Sequence, residues 1–149
     1  MNLRYLLDTN ICIYIMKNRP MHLAPIFAQH ARELCISSIT VMELEYGVAC
    51  SQQQVSNAEK LAGFLSRLTI LDFDSAAAEH AARIRAHLRQ CGTPIGAYDA
   101  LIAGHARSLG LTVVTNDVRE FERVPGLMFE NWLQQPPQSQ LNEPIPAYR

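Results

Sequence analysis

The sequence predicts an α/β fold in which a mostly parallel central sheet carries helices on both faces. Two observations point to it. Short apolar runs of strand character alternate with longer stretches of helical periodicity along most of the chain, the pattern of successive βαβ units. The first such run, Tyr5-Leu6-Leu7, ends abruptly in a carboxylate, Asp8, and passes straight into a helix at Thr9-Asn10. Right-handed crossovers bring the C-terminal ends of parallel strands to one rim. In open α/β sheets, ligands bind just beyond that rim.

The elements follow in order. The first strand is expected over residues 3–7 and the first helix over 9–17, with Ile11, Ile13 and Ile15 supplying its apolar side. Pro20 stops that helix, and a second is expected over 21–31. Leu34-Cys35-Ile36-Ser37-Ser38 reads as the second strand, bounded by polar residues. The third helix, 39–50, carries Val41, Leu44 and Val48 at helical spacing. A polar connector covers 51–56, then a helix covers 58–68. Residues 69–73 form the third strand. Asp74 precedes a long Ala-rich helix to Gln90, which Gly92 and Pro94 end. Gly96 opens a helix over 98–109 that Gly110 closes. Residues 111–115 read as a buried strand, 117–121 as a turn of helix and 128–130 as an edge strand. From Gln134 the composition shifts to Pro, Gln and Ser. The expected organisation is one domain over 1–133 and a flexible or docking tail over 134–149.

Composition bounds the function. The chain has 149 residues, 48% hydrophobic and 18% charged, enough to bury a core without staples. No apolar run approaches the roughly 18–20 residues of a membrane span. Only Arg4 precedes the first strand, with no cleavage pattern, so no secretory signal is expected and a cytoplasmic location is the default. Cys12, Cys35, Cys50 and Cys91 form no C-x-x-C pair, which argues against zinc and redox motifs. They read as buried, reduced thiols. The five histidines form no ligand pattern and read as non-ligands. Net charge is −1, so non-specific gripping of nucleic acid is not expected. Eleven of the thirteen basic residues are Arg, the side chain suited to bidentate phosphate contact.

The acids carry the chemistry. Asp8 ends the first strand, Glu43 lies one turn into the helix after the second, Asp99 lies in the first turn after Gly96, and Asp117 follows the 111–115 strand. Parallel topology draws these positions together. Clustered carboxylates repel, and a divalent cation is the natural counter-charge. Hard oxygen donors favour Mg²⁺ or Mn²⁺. Each acid also has a local reading. Asp8 suits a helix N-cap. Thr40-x-x-Glu43 fits a capping box, and so does Asp117-x-x-Glu120. Asp99 suits a helix dipole. Asp74 is assigned to capping alone. The helix pattern does not choose Glu43 over Glu45.

Four motifs make the chain resemble a known family. They are Leu7-Asp8-Thr9-Asn10, the 36–47 segment ISSITVMELEYG, the 94–103 segment PIGAYDALIA and the 114–121 segment VTNDVREF. In this order and spacing they resemble the PIN-domain ribonucleases, specifically the VapC toxins of bacterial toxin–antitoxin pairs. The resemblance runs from Tyr5 to about Trp132 and does not reach the tail. It implies a Rossmann-like PIN fold and places the family's acids on Asp8, Glu43, Asp99 and Asp117, which selects Glu43 over Glu45. Some relatives carry Asn at the fourth position. Asp8 and Asp99 would be the principal Mg²⁺ ligands, with Glu43 and Asp117 completing the shell, holding a second metal or orienting the attacking water. Thr9, Asn10, Ser38 and Thr115 would orient ligands from beside the acids.

The implied activity is metal-dependent endonucleolytic cleavage of a structured RNA, with tRNA cut in the anticodon stem-loop, initiator tRNA included. The implied partners are a VapB-type antitoxin that sets a basic side chain against the acids, a second toxin copy in a homodimer, and operator DNA through the antitoxin alone. From the residues themselves, aromatic content is only 7%, with no stacking cluster. Recognition of RNA by shape and phosphate is therefore expected, with Arg85 and Arg89, four apart on one helix, as candidate contacts. Two rivals remain open. A Rossmann-like phosphatase would use Asp8 as nucleophile, but position 10 is Asn and neither Lys17 nor Lys60 sits at a strand end. The second is a binding module without activity, which would not need all four acids.

Overall fold

Five short strands, β1 (Tyr5–Leu7), β2 (Leu34–Ser37), β3 (Thr69–Leu71), β4 (Thr112–Val114) and β5 (Met128–Glu130), make one sheet in the order β3-β2-β1-β4-β5. Every pairing is parallel. The structure, a computed structural model, describes residues 2–133; the expected 134–149 tail lies outside the described residues. From β1 the chain steps outward through β2 and β3, then returns to the other side of β1 for β4 and β5. Strand order therefore reverses between β1 and β4. A crevice opens at such a point beyond the strand ends.

Among the described residues seven α-helices connect the strands: α1 (Thr9–Lys17), α2 (Leu23–Gln29), α3 (Ser38–Ala49), α4 (Gln54–Leu65), α5 (Ser75–Gln90), α6 (Ala97–Leu109) and α7 (Val118–Phe121). The strands send alternate side chains to two faces. Tyr5, Leu7, Ile36 and Val114 pack with Ile11 of α1, Phe27 of α2, Leu44 of α3 and Phe64 of α4. Leu6, Cys35 and Val113 pack with Ile84 and Leu88 of α5, Ile102 of α6 and Phe121 of α7. Both faces are covered, so the central strands read as continuous apolar runs. Each fully buried Leu, Ile or Phe contributes roughly 1.5–3 kcal/mol, and this double core fixes where the strand ends lie.

Most elements start and stop where the sequence says. Asp74 accepts from the Ala77 N–H at 2.9 Å and caps α5. Gly110, at φ 68°, closes α6 in the left-handed region that Gly enters without strain. Three differences stand out. β5 has its expected length, but the other four strands are shorter by one or two residues: β1 starts at Tyr5, β2 ends at Ser37 just before α3 begins, β3 ends at Leu71 and β4 spans Thr112–Val114. α2 is shorter too, and Ala31–Glu33 forms a 3-10 turn. α4 starts at Gln54, inside the expected connector, whose polar residues are mostly its exposed side. The cysteine reading is corrected for two of four: Cys12 and Cys35 are buried, but Cys50 and Cys91 are exposed. Among the described residues no helix is long and apolar enough to cross a membrane.

α5 and α6 approach unusually closely. A Cβ at Gly104 would lie 2.5 Å from the Ala81 backbone nitrogen and 2.7 Å from its Cα. Only Gly allows this contact, and it sets how far α6 carries its first turn toward the rim. Gly104→Ala is expected to destabilise the protein by about 1–3 kcal/mol, the range for overpacking. Gly63→Ala, on exposed α4 with nothing within 4 Å, is expected to stabilise by about 0.5–1 kcal/mol through helix propensity. Urea unfolding followed by circular dichroism reads both; equal effects of the two substitutions would refute the close-packing account.

Candidate functional site

The acids gather at the β1/β4 reversal. Asp8 follows β1 directly, and its backbone N–H donates to Val114 O at 3.0 Å, extending the sheet by one bond. Its Oδ1 accepts from the Ile11 N–H at 3.0 Å, capping α1. Its Oδ2 accepts from the Thr115 hydroxyl at 2.5 Å. The cap and the rim carboxylate are thus one residue. Asp8 is 4% exposed. Burial raises its pKa, while the Thr115 hydroxyl and the Ile11 N–H pull it down and the Asp117 charge pushes it up again.

Thr115 links two acids. While donating to Asp8, its Oγ1 accepts from the Asp117 N–H at 2.8 Å. Asp117 sits at the N-cap of α7 but makes no side-chain cap bond, so its carboxylate is left for the crevice. Asp99 arrives from the first turn of α6 and Glu120 from α7. One carboxylate oxygen each of Asp99, Asp117 and Glu120 lie within 4.8 Å of one another. Glu120 Oε1 accepts from the Gly96 N–H at 3.1 Å. A Cβ at Gly96 would lie 3.2 Å from Asp99 Oδ2, so Gly96 is what lets this loop lie against the acids.

Crowding has an electrostatic signature. Burial, the bond to Glu120 and the charges of Glu120, Asp8 and Asp117 push Asp99 up to about 8. The same Asp99–Glu120 contact is the main cause that lowers Glu120. The opposite shifts favour the protonated form on Asp99 over Glu120. Glu120 Oε2 and Asn116 Oδ1 are each buried and accept no hydrogen bond among the described residues.

Glu43 is held from α1, by the residue that follows Asp8. The Thr9 hydroxyl donates to its Oε1 at 2.6 Å, and Thr40 Oγ1 lies 3.3 Å from the same hydroxyl. Ser37, not Thr40, caps α3, so the capping-box reading of Glu43 fails. Glu45 is exposed. Asn10 is exposed as well, and its backbone N–H, not its side chain, bears on Asp8. Ser38 accepts from the Phe73 N–H at 3.0 Å, fastening α3 to the chain after β3; no bond joins it to an acid among the described residues. Arg85 and Arg89 are exposed on α5. His105 is buried against Ser37 Oγ at 2.8 Å, and burial lowers its pKa.

Sequence reasoning missed Glu120 as a site residue, treating it as a cap. The available signal was its place one helical turn beyond Asp117, on the same side of α7. It also missed Gly96 as the residue that allows the loop's approach.

The chain is similar to known proteins over most of its length. The PIN domain family matches residues 5–127. The tRNA(fMet)-specific endonuclease VapC of Salmonella typhimurium is 52% identical over 130 residues, which span 87% of this chain and 98% of the relative. Ribonuclease VapC2 of Haemophilus influenzae is 50% identical over 131 residues, 88% of this chain and 99% of the relative. Among solved structures, DNA-bound VapBC from Salmonella typhimurium aligns at TM-score 0.84 with 52% identity, covering 87% of this chain and 98% of that one. VapBC2 from Rickettsia felis, bound to a DNA fragment from its promoter, aligns at 0.83 with 41% identity, covering 87% and 99%. A fold built around acids at a strand-order reversal, matched over most of its length to these proteins, places the chain in the PIN-domain family, among its VapC ribonucleases.

Proposed function

We propose that this chain is the toxin of a toxin–antitoxin pair and a divalent-metal-dependent endoribonuclease that cuts tRNA in the anticodon stem-loop, initiator tRNA above all. The observation that carries the chemistry is the gathering of Asp99, Asp117 and Glu120 beside Asp8, which Thr115 links to Asp117, with Glu43 held by Thr9, the residue after Asp8. The name of the Salmonella relative supports the RNA class. The VapBC complexes support an antitoxin partner, with operator DNA reached through it. A homodimer and a cytoplasmic location go with the same reading, as does a PIN domain over 1–133 followed by the tail.

The residues fit a hard cation. All donors are carboxylate oxygens, which suit Mg²⁺, with Mn²⁺ as substitute. The raised pKa of Asp99 and the unpartnered Glu120 Oε2 mark a place where positive charge is missing. Asp8, Asp99, Asp117 and Glu120 would hold the ion. When bound, it lowers the pKa of a water and offsets charge developing on the scissile phosphate. The chain does the rest by position. Thr115 and Ile11 fix both oxygens of Asp8, so that carboxylate is oriented before substrate arrives. Asp99 would hold such an ion as the carboxylate, since ligands bind deprotonated. Glu43, aimed by Thr9, orients the attacking water. His105 is committed to Ser37 and does not act as a base.

Asp8→Asn keeps an oxygen to accept from Ile11, so the α1 cap survives. RNA cleavage in Mg²⁺ is expected to fall by more than about a hundredfold, beyond the loss from removing an outer partner, with unchanged circular dichroism. Mapping fresh 5′ ends on cellular RNA against this variant tests the reading; an unchanged cleavage rate refutes it. A second expectation concerns stability. A carboxyl whose pKa is higher in the fold than in the unfolded chain stabilises the protein fully below about pH 4. That stability is lost as pH rises toward about 8. Asp99→Asn removes the loss. Metal-free Asp99→Asn protein is expected to be more stable than the parent at pH 8 by about 1–2 kcal/mol, and equal to it near pH 4. Thermal melts in chelator across this range decide; a variant less stable than its parent at pH 8 is the contrary result.

A further inference from the structure

The acids attract a cation but repel RNA, so the substrate needs positive contacts beside them. The described residues offer a built place for these. A groove of about 480 Å³ runs between the last turns of α5 and the segment leading into α6. Arg85, Leu88 and Arg89 line it from α5, and Pro94, Ile95 and Ala97 make a second wall from the segment leading into α6. That second wall is the back of the loop whose Gly96 touches Asp99 and Glu120. Groove and acids are therefore two sides of one short segment.

Charge selects the occupant. Neither Arg85 nor Arg89 has a hydrogen bond or ion pair among the described residues. By contrast Arg83 pairs with Glu79 on the same helix, Arg107 is held by His80 and Pro125, and Arg123 donates to Pro94 O. No carboxylate lines the groove. The two arginines are four residues apart, about 6 Å along the helix axis, of the order of one nucleotide step. A guanidinium with five free donors matches a phosphate.

We infer that this groove carries the sugar–phosphate backbone of the RNA substrate beside the scissile phosphate, with Arg85 and Arg89 each on a phosphate. The inference rests on the ribonuclease reading above and adds where the strand runs. It makes Arg85 and Arg89 binding residues, with no part in the bond-breaking step.

The test uses the full chain and a tRNA transcript. Arg85→Gln/Arg89→Gln is expected to raise KM roughly tenfold while kcat at saturating RNA stays within about twofold. In an Asp8→Asn background, which does not consume the probe, fluorescence anisotropy gives Kd against salt. The slope of log Kd against log salt is expected to fall by about 1.4–1.8 for two lost phosphate contacts. Arg85→Lys/Arg89→Lys should keep most of that slope, and Arg83→Gln should leave it unchanged. An unchanged KM and salt slope in the Gln pair, with the parent cutting RNA, overturns the groove assignment alone. The same holds if the pair leaves RNA binding intact and weakens only binding of the partner antitoxin. If the parent cuts no RNA, the ribonuclease reading fails, while the salt slope still reports on the groove.

Discussion

Mutual repulsion among carboxylates is the constraint around which this molecule is arranged. Asp99, Asp117 and Glu120 crowd together, Asp8 lies buried beside them, and Thr9 holds Glu43. Left to themselves such groups would separate or take up protons. The fold prevents the first and accepts the second in part, with the protonated form favoured on Asp99 over Glu120. Free energy is thus stored at the place where a cation can release it.

Holding the acids against that repulsion takes a stiff frame. Two apolar cores clamp the sheet from both faces. Gly104 lets α6 lie against Ala81 of α5. The buried bond between His105 and Ser37 ties α6, which bears Asp99, to the cap of α3, which bears Glu43. A satisfied polar pair in a dry interior resists displacement more than an apolar contact of the same size. The threonines serve the same end more locally: Thr115 bridges Asp8 and Asp117, and Thr9 aims Glu43.

Much of this was legible in the sequence, for particular reasons. Alternating strand and helix patterns gave the parallel sheet, and a strand ending in Asp8 marked the rim. Local caps were readable where one residue did one job, as at Asp74 and Gly110. Reading failed where a local device and a distant partner share residues. Asp8 is both cap and rim acid. Glu43 mimics a capping box in spacing, yet its partner is Thr9, thirty-four positions away. Glu120 looks like a helix-start residue, yet it meets Gly96 and Asp99 across the crevice. Cys50 and Cys91 were misread because cysteine usually prefers the interior, and their helix ends face solvent.

Where no cation is bound, the crowding of Asp99 against Glu120, Asp8 and Asp117 favours a proton on Asp99. Calorimetric titration of the metal-free chain with Mg²⁺ at pH 7, in two buffers of different ionisation enthalpy, measures it directly. The account predicts saturable binding with release of about one proton per protein, since ligands must be deprotonated to bind. Binding with no proton released, or no binding to a chain that is fully folded, would contradict it.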